Sequence, residues 1–308
     1  LSGRGLGQTG WYAMGERGVP HNFSGCGNSL ATGEPRVIQW VMDSLRWWVQ
    51  AYGVDGFRFD LAVSLGRSAA LGHAFHPHAP LLTAMQQDPV LRTVQLIAEP
   101  WDIGPDGYHC GGFAPGWREW NDGFRDGVRA FWLGHHARLG ELAHRVCASS
   151  DRFQRGGRLP TASVHLLTAH DGFNLADLTA YEHKHNAANG EDNRDGHGHN
   201  LSANGGAEGP SDDPQVQHRR SLWRRALLAT LLCAQGTPQL LAGDELGHSQ
   251  QGNNNSYCQD NALTWLDWTN ADADLTGYVA GLTALRRQHP GLRHARWFSG
   301  QPVAPGAP

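Results

Sequence analysis

Charge is sparse and nearly balanced along these 308 residues: 25 lysines and arginines face 29 aspartates and glutamates, a formal net charge of −4. Such a chain carries no basic field for nucleic acid or an anionic membrane, so neither is expected as a partner. Long apolar runs are missing too. None approaches the ~20 residues that span a bilayer, and the first residues do not read as a secretory signal. Cysteine is scarce: five scattered thiols with no zinc-like spacing point to reduced thiols and a cytoplasmic setting. No glycine-rich phosphate loop follows an apolar run, which argues against a nucleotide-binding doubly wound fold.

Tryptophan and glycine are plentiful, at 12 and 40 residues. Glycine and asparagine gather in aperiodic stretches, a composition suited to loops that offer flat rings to sugars, although interior and surface packing accounts for most tryptophans. Hydrophobic residues make up 40% of the chain, enough for a sizeable core.

Residues 1–34 are glycine-rich and read as loop. From Pro35, the apolar residues Val37, Ile38, Val41, Leu45, Trp48 and Val49 follow helical spacing; Pro35 suits a first turn and Gly53 a stop. YGVDGFRFD (52–60) then reads as a buried strand, with Arg58 and Asp60 on one face and Phe57 and Phe59 on the other. The unit recurs. TVQLIAEP (93–100), SVHLLTAHD (163–171) and TPQLLAGDE, ending at Asp244 and Glu245, read as further strands. NDGFRDGVRAFWLGHHARLGELAHRV, RRSLWRRALLATLLCAQG and LTGYVAGLTALRRQHP read as helices. Near-continuous apolar strands alternating with helices predict an α/β fold with a parallel sheet. A polar insertion near 181–214 interrupts it.

Acidic residues close three successive strands: Asp60, Glu99 and Asp171. Active sites of parallel α/β folds assemble at that end of the sheet. Three carboxyls accompanied by an arginine and a histidine suit glycoside hydrolysis better than most chemistries.

GFRFD, AEPWD and TAHDGF resemble signature regions of the α-amylase superfamily, in the order of barrel strands four, five and seven. HNFSGCGNSL, HKHNAANGEDNRDG, QGTPQLLAGDELGHSQQGNNNSYCQDN and LTWLDW resemble its isoamylase-type branch, and within it the glycogen-debranching members; the likeness covers nearly the whole chain. The resemblance implies a retaining glycosidase that cleaves α-1,6 branch linkages of an α-glucan such as glycogen or a limit dextrin. It makes Asp60 the nucleophile, Glu99 the acid/base and Asp171 the stabilising third carboxylate. It assigns Arg58 to orienting Asp60 and His170 to a sugar hydroxyl. Trp101, Trp120 and Asp122 are expected in loops rimming the site. No cofactor is expected and no metal, since the pairs His183/His185 and His197/His199 have no carboxylate or thiol cluster beside them. Alternatives within the class are other isoamylase-, pullulanase- or trehalose-pathway debranching enzymes; outside it stands a non-catalytic glucan-binding relative.

Two departures matter. Ala187 stands where the resembling loop usually carries glutamate. The Asp-Val-x-x-Asn-His run that ends barrel strand three is absent. The expectation is therefore a partial TIM (β/α)8 barrel, strands four to eight with their helices. Residues 1–34 would form the loop after strand three, 35–290 the catalytic portion, and 291–308 a tail leading toward a β-domain. Such an open barrel, expressed by itself, should aggregate and turn over poorly. Size-exclusion chromatography with a debranching assay checks this, and a soluble, active monomer would count against it.

Overall fold

The computed structural model describes residue 5 and residues 7–299. Leu1 and the tail from residue 300 onward, the latter expected to lead toward a further domain, lie outside the described residues. The chain divides into two compact units. One holds the residues up to Trp120 together with Arg152–Arg158; the other holds Asn121–Asp151 and the residues from Leu159 onward.

In the first unit, helix α1 (Pro35–Tyr52) begins on proline and ends at Gly53, whose φ of 65° is strained for any residue with a Cβ. It buries Val37, Met42 and Leu45. Trp48, expected on this face, is instead 47% exposed. It falls at the edge of the apolar arc and packs on Tyr52, ring centroids 4.8 Å apart. Helix α2 (Pro80–Gln87) buries Leu81, Leu82 and Met85 completely; at eight residues it is too short for its period to stand out in the sequence.

Three parallel strands follow one another in this part of the chain: β1 (Gly56–Phe59), β2 (Gln95–Ala98) and β3 (Trp117–Asn121). The strand read as buried, β1, is half-buried along its length. Strand β3 corrects the sequence reading, which left EWND as loop. Its sequence, Trp-Arg-Glu-Trp-Asn, holds no apolar run and so disguises a strand whose Glu119 is fully buried. That burial is tolerated because Arg158 pairs with Glu119, and the backbone N–H groups of Gly111 and Phe113 donate to the same carboxylate.

The second unit opens with α3 (Asp122–Trp132), capped by the Asn121 side chain, which accepts from the Phe124 amide at 3.0 Å. The single helix expected over 121–146 is two, because the chain turns at Gly134, φ 82°, before α4 (Leu139–Val146). Strands β4 (Ser163–His165) and β5 (Thr237–Pro238) pair in parallel and are far shorter than their apolar runs. The Gln239 N–H just past Pro238 still donates to the His165 carbonyl at 2.7 Å, and beyond it the chain leaves the ladder as loop. Asp213 caps α5 (Pro214–Cys233) and Asp272 caps α6 (Ala273–Gln288). Their buried faces meet α3 in a core that includes Phe124, Val128, Leu228, Leu231 and Leu275.

The insertion has one 3-10 turn, Ala187–Asn189, yet it is tied down. Lys184, the chain's single lysine, donates to the carbonyls of Arg194 (3.1 Å) and Asp195 (2.7 Å). Buried Asn254 joins Asn186 and Asn200. Among the described residues, no helix is long and apolar enough to cross a membrane.

Removing one partner of a buried ion pair leaves the other charge uncompensated. Arg158→Ala is therefore expected to cost about 3 kcal/mol, because Glu119 remains in the core. Urea denaturation followed by fluorescence checks this, and a loss below about 1 kcal/mol would contradict the role given to the pair.

Candidate active site

Parallel pairing places the ends of β1 and β2 side by side, with Phe59 opposite Ala98. The next residue of each strand is a carboxylate, Asp60 and Glu99. Arg58 serves both. Its Nη1 donates to Asp60 Oδ1 at 2.6 Å, and its Nη2 lies 3.1 Å from Glu99 Oε2. The guanidinium rests over the Trp120 ring, 4.3 Å from the centroid. A planar fork on an aromatic face, with a carboxylate at each prong, has little freedom to reorient.

The two carboxylates have unlike surroundings. Asp60 has a side chain 73% exposed, whereas that of Glu99 is 8% exposed. Burial pushes the Glu99 carboxyl above its ordinary value, and the Asp60 charge adds to the effect. The Leu61 amide (2.6 Å to Oε2), Arg58 and the Trp101 side chain oppose the rise without cancelling it. Leu61 sits at φ 41°, so the backbone bends sharply after Asp60 to aim its N–H at Glu99.

Trp101 lies in the loop after β2, where its backbone bridges to Tyr108. The next residue, Asp102, has its side chain fully buried on Arg67 in a two-pronged ion pair of 2.7 and 3.0 Å. Arg67 also donates to the carbonyls of His73 and Pro105. This brace was not anticipated from the sequence. Its only signal was an acid immediately after AEPW, with nothing to indicate an arginine 35 residues earlier as its partner. Trp120 was expected in a rim loop; it lies in β3, 7% exposed, with Arg58 on its ring.

In the second unit His170 and Asp171 are neighbours with more than half of each side chain exposed, His170 Nε2 lying 3.5 Å from Asp171 Oδ2. Asp171 stands in the loop six residues beyond the last residue of β4, not at a strand end as expected. Gly172, φ 93°, donates its N–H to the Asn254 carbonyl at 2.9 Å. Asp122 was also expected in a rim loop. It is the first residue of α3, where its carboxylate accepts from the Gly123 amide at 2.8 Å. His185 pairs with Glu208 at 3.1 Å. Among the described residues, no group of three or more His, Cys, Asp or Glu is arranged to hold a metal ion.

A raised carboxyl value favours the folded state at low pH, and that contribution is lost as pH rises through the folded-state value. Glu99→Gln is thus expected to raise the melting temperature at pH 7.5. The gain should shrink as pH falls and vanish below the unfolded-state glutamate value. Calorimetric melts across pH check this; a destabilised Gln variant at pH 7.5 would show that Arg58 outweighs burial.

No protein-family model matches the chain. It is 55% identical over 298 residues to a glycogen debranching enzyme of Serratia proteamaculans, covering 97% of this chain and 44% of that protein. It is 52% identical over 317 residues to one of Pectobacterium carotovorum, covering 99% and 48%. The chain thus spans somewhat less than half the length of the curated relatives it matches. Among solved structures, a pullulanase from Bacillus acidopullulyticus aligns with a TM-score of 0.70 at 24% identity, over 93% of this chain and 32% of that one. A Bacillus subtilis type I pullulanase complexed with maltose aligns with a TM-score of 0.68 at 24% identity, covering 93% and 38%. These two establish a shared α/β fold.

Proposed function

We propose that this chain, a homologue of the bacterial glycogen debranching enzymes along nearly its whole length, carries the catalytic machinery of a retaining α-1,6-glucosidase acting on branches of an α-glucan. The observation that carries the reading is the Arg58 fork with Asp60 on one prong and Glu99 on the other. Retaining hydrolysis needs one carboxylate that is ionised and one that holds a proton, close together.

Asp60 is the nucleophile: exposed, hydrogen-bonded to a permanent cation, and free to attack an anomeric carbon. Glu99 is the acid/base. Its raised proton affinity suits it to protonate the glycosidic oxygen while Asp60 forms the glucosyl ester. Ester formation removes the Asp60 charge, one cause of that raised affinity. Glu99 then becomes the stronger acid and, having lost its proton, takes one from the incoming water. Asp171 is the third carboxylate, holding sugar hydroxyls as positive charge develops on the ring, with His170 beside it.

The five strands correspond in this reading to strands four to eight of a (β/α)8 barrel, with β3 as strand six. Trp101 and Trp120 frame the reaction centre, Trp101 through Glu99 and Trp120 through Arg58; Asp122, at the start of α3, is a further candidate substrate contact. Glycogen and its limit dextrins are the favoured substrates, in keeping with the names of the relatives. Among the described residues no disulfide links the five cysteines, in accord with a cytoplasmic setting.

The test is Asp60→Asn in the protein containing this chain. Turnover of limit dextrin should fall by at least about 10³-fold while retardation on a glucan-containing gel persists. Activity within tenfold of wild type would remove Asp60 from the chemistry. Relative rates on limit dextrin, amylopectin and pullulan assign the branch preference.

A further inference from the structure

Strand β5 ends at Pro238, and the chain beyond it carries Asp244 into the interior of the second unit, 1% exposed. Nothing in the reaction outlined above uses this carboxylate. Its two oxygens accept from two points on one loop. The Thr168 hydroxyl donates to Oδ2, and the Leu175 amide donates to Oδ1 at 2.8 Å. Thr168 precedes His170 by two residues, and Leu175 follows Asp171 by four. Asp244 thus grips both ends of the segment that presents His170 and Asp171, while those two side chains remain more than half exposed.

We infer that Asp244 is a positioning residue for Asp171: it pins Thr168 and Leu175, and so sets where the third carboxylate stands. The inference rests on the role proposed for Asp171. Three features support it. The segment has little regular structure of its own between β4 and the single helical turn Leu175–Leu178, so its shape depends on outside anchors. The other anchors engage the backbone at single points: Arg129 Nε holds the Leu167 carbonyl at 2.8 Å, and Gly172 donates to the Asn254 carbonyl. Asp244 takes both flanks through one rigid group. Burial pushes the Asp244 carboxyl up to about 6 and the nearby Glu245 charge adds to it, while the two donors and the Arg129 charge resist, so the clamp is strained toward losing its charge and depends on those partners.

The chemistry of the pair dictates the variants. In Asp244→Asn the amide oxygen can still accept from the Leu175 N–H, and its NH2 can donate to the Thr168 hydroxyl, which accepts as readily as it donates. Asp244→Ala removes both bonds; Thr168→Val removes one and is the milder change should the alanine variant fold poorly.

Hydrogen exchange and kinetics in the protein containing this chain test the idea. In Asp244→Ala, or in Thr168→Val to a smaller degree, the Leu175 amide should exchange roughly tenfold faster or more, with α5 amides unchanged. Limit-dextrin turnover should fall by about 10²-fold, a loss typical of a misplaced group, and Asp244→Asn should recover most of it. In an Asp171→Asn background, Asp244→Ala should cost less than about twofold more, because the group it positions is already gone. Unchanged exchange at Leu175, or an equal loss in both backgrounds, would overturn the inference. If Asp171→Asn alone were fully active while Leu175 exchange still accelerated, the role of Asp171 would fall and the clamp itself would stand.

Discussion

Two acids placed side by side at the ends of β1 and β2 would ordinarily behave alike unless their surroundings break that symmetry. Arg58 and the depth of Glu99 do so together. The guanidinium lies against both carboxylates, but Asp60 faces solvent and Glu99 does not, so desolvation falls on one partner only. The Asp60 side chain keeps contact with water; inside, a charge on Glu99 is opposed by its surroundings. The rest of the first unit secures this difference. Trp120 supports the guanidinium from below, Leu61 turns its amide inward, and the packing of β1 on β2 brings the two acids together.

A second theme is the buried carboxylate that holds a loop by accepting its donors. Asp102 does this with Arg67 and the Gly104 amide in the segment that carries Trp101. Asp177 does it for residues 249–252, accepting from the Ser249 hydroxyl and the Gln250 and Gly252 amides. Asp244 does it for the His170–Asp171 segment. Short strands leave much irregular backbone with donors to satisfy, and an acid that accepts two or three of them fixes a loop more firmly than apolar packing can. Burial raises Asp177 and Asp244 to about 6 each, so their ionised forms weigh against the fold at neutral pH, a cost that fades as pH falls.

The positions of the two strand-end acids were more legible than the architecture. GFRFD and AEPWD place Asp60 and Glu99 directly after apolar runs, and the structure has both strands end one residue short of the acid. Helix α1 was visible because its apolar spacing recurs along 18 residues. The failures share a cause. Strand β3 has Trp, Arg and Glu where an apolar run was sought, since Glu119 is stabilised by a partner 39 residues away. Strands β4 and β5 were overestimated because an apolar segment stays buried whether it is laddered or looped. Composition reports burial; it does not report hydrogen-bond partners.

By itself, the sequence determined that Asp60 and Glu99 directly follow apolar strands, because an acid closing an apolar run can be read locally. It determined the long helices for the same reason, since a period is a property of neighbouring residues. Only the tertiary structure decided that Arg58 serves two acids, that Trp120 lies beneath it, and that Asp244 reaches back to Thr168. Each of those is a pairing across distant parts of the chain, chosen by the geometry of packing and by the cost of leaving a buried polar group alone.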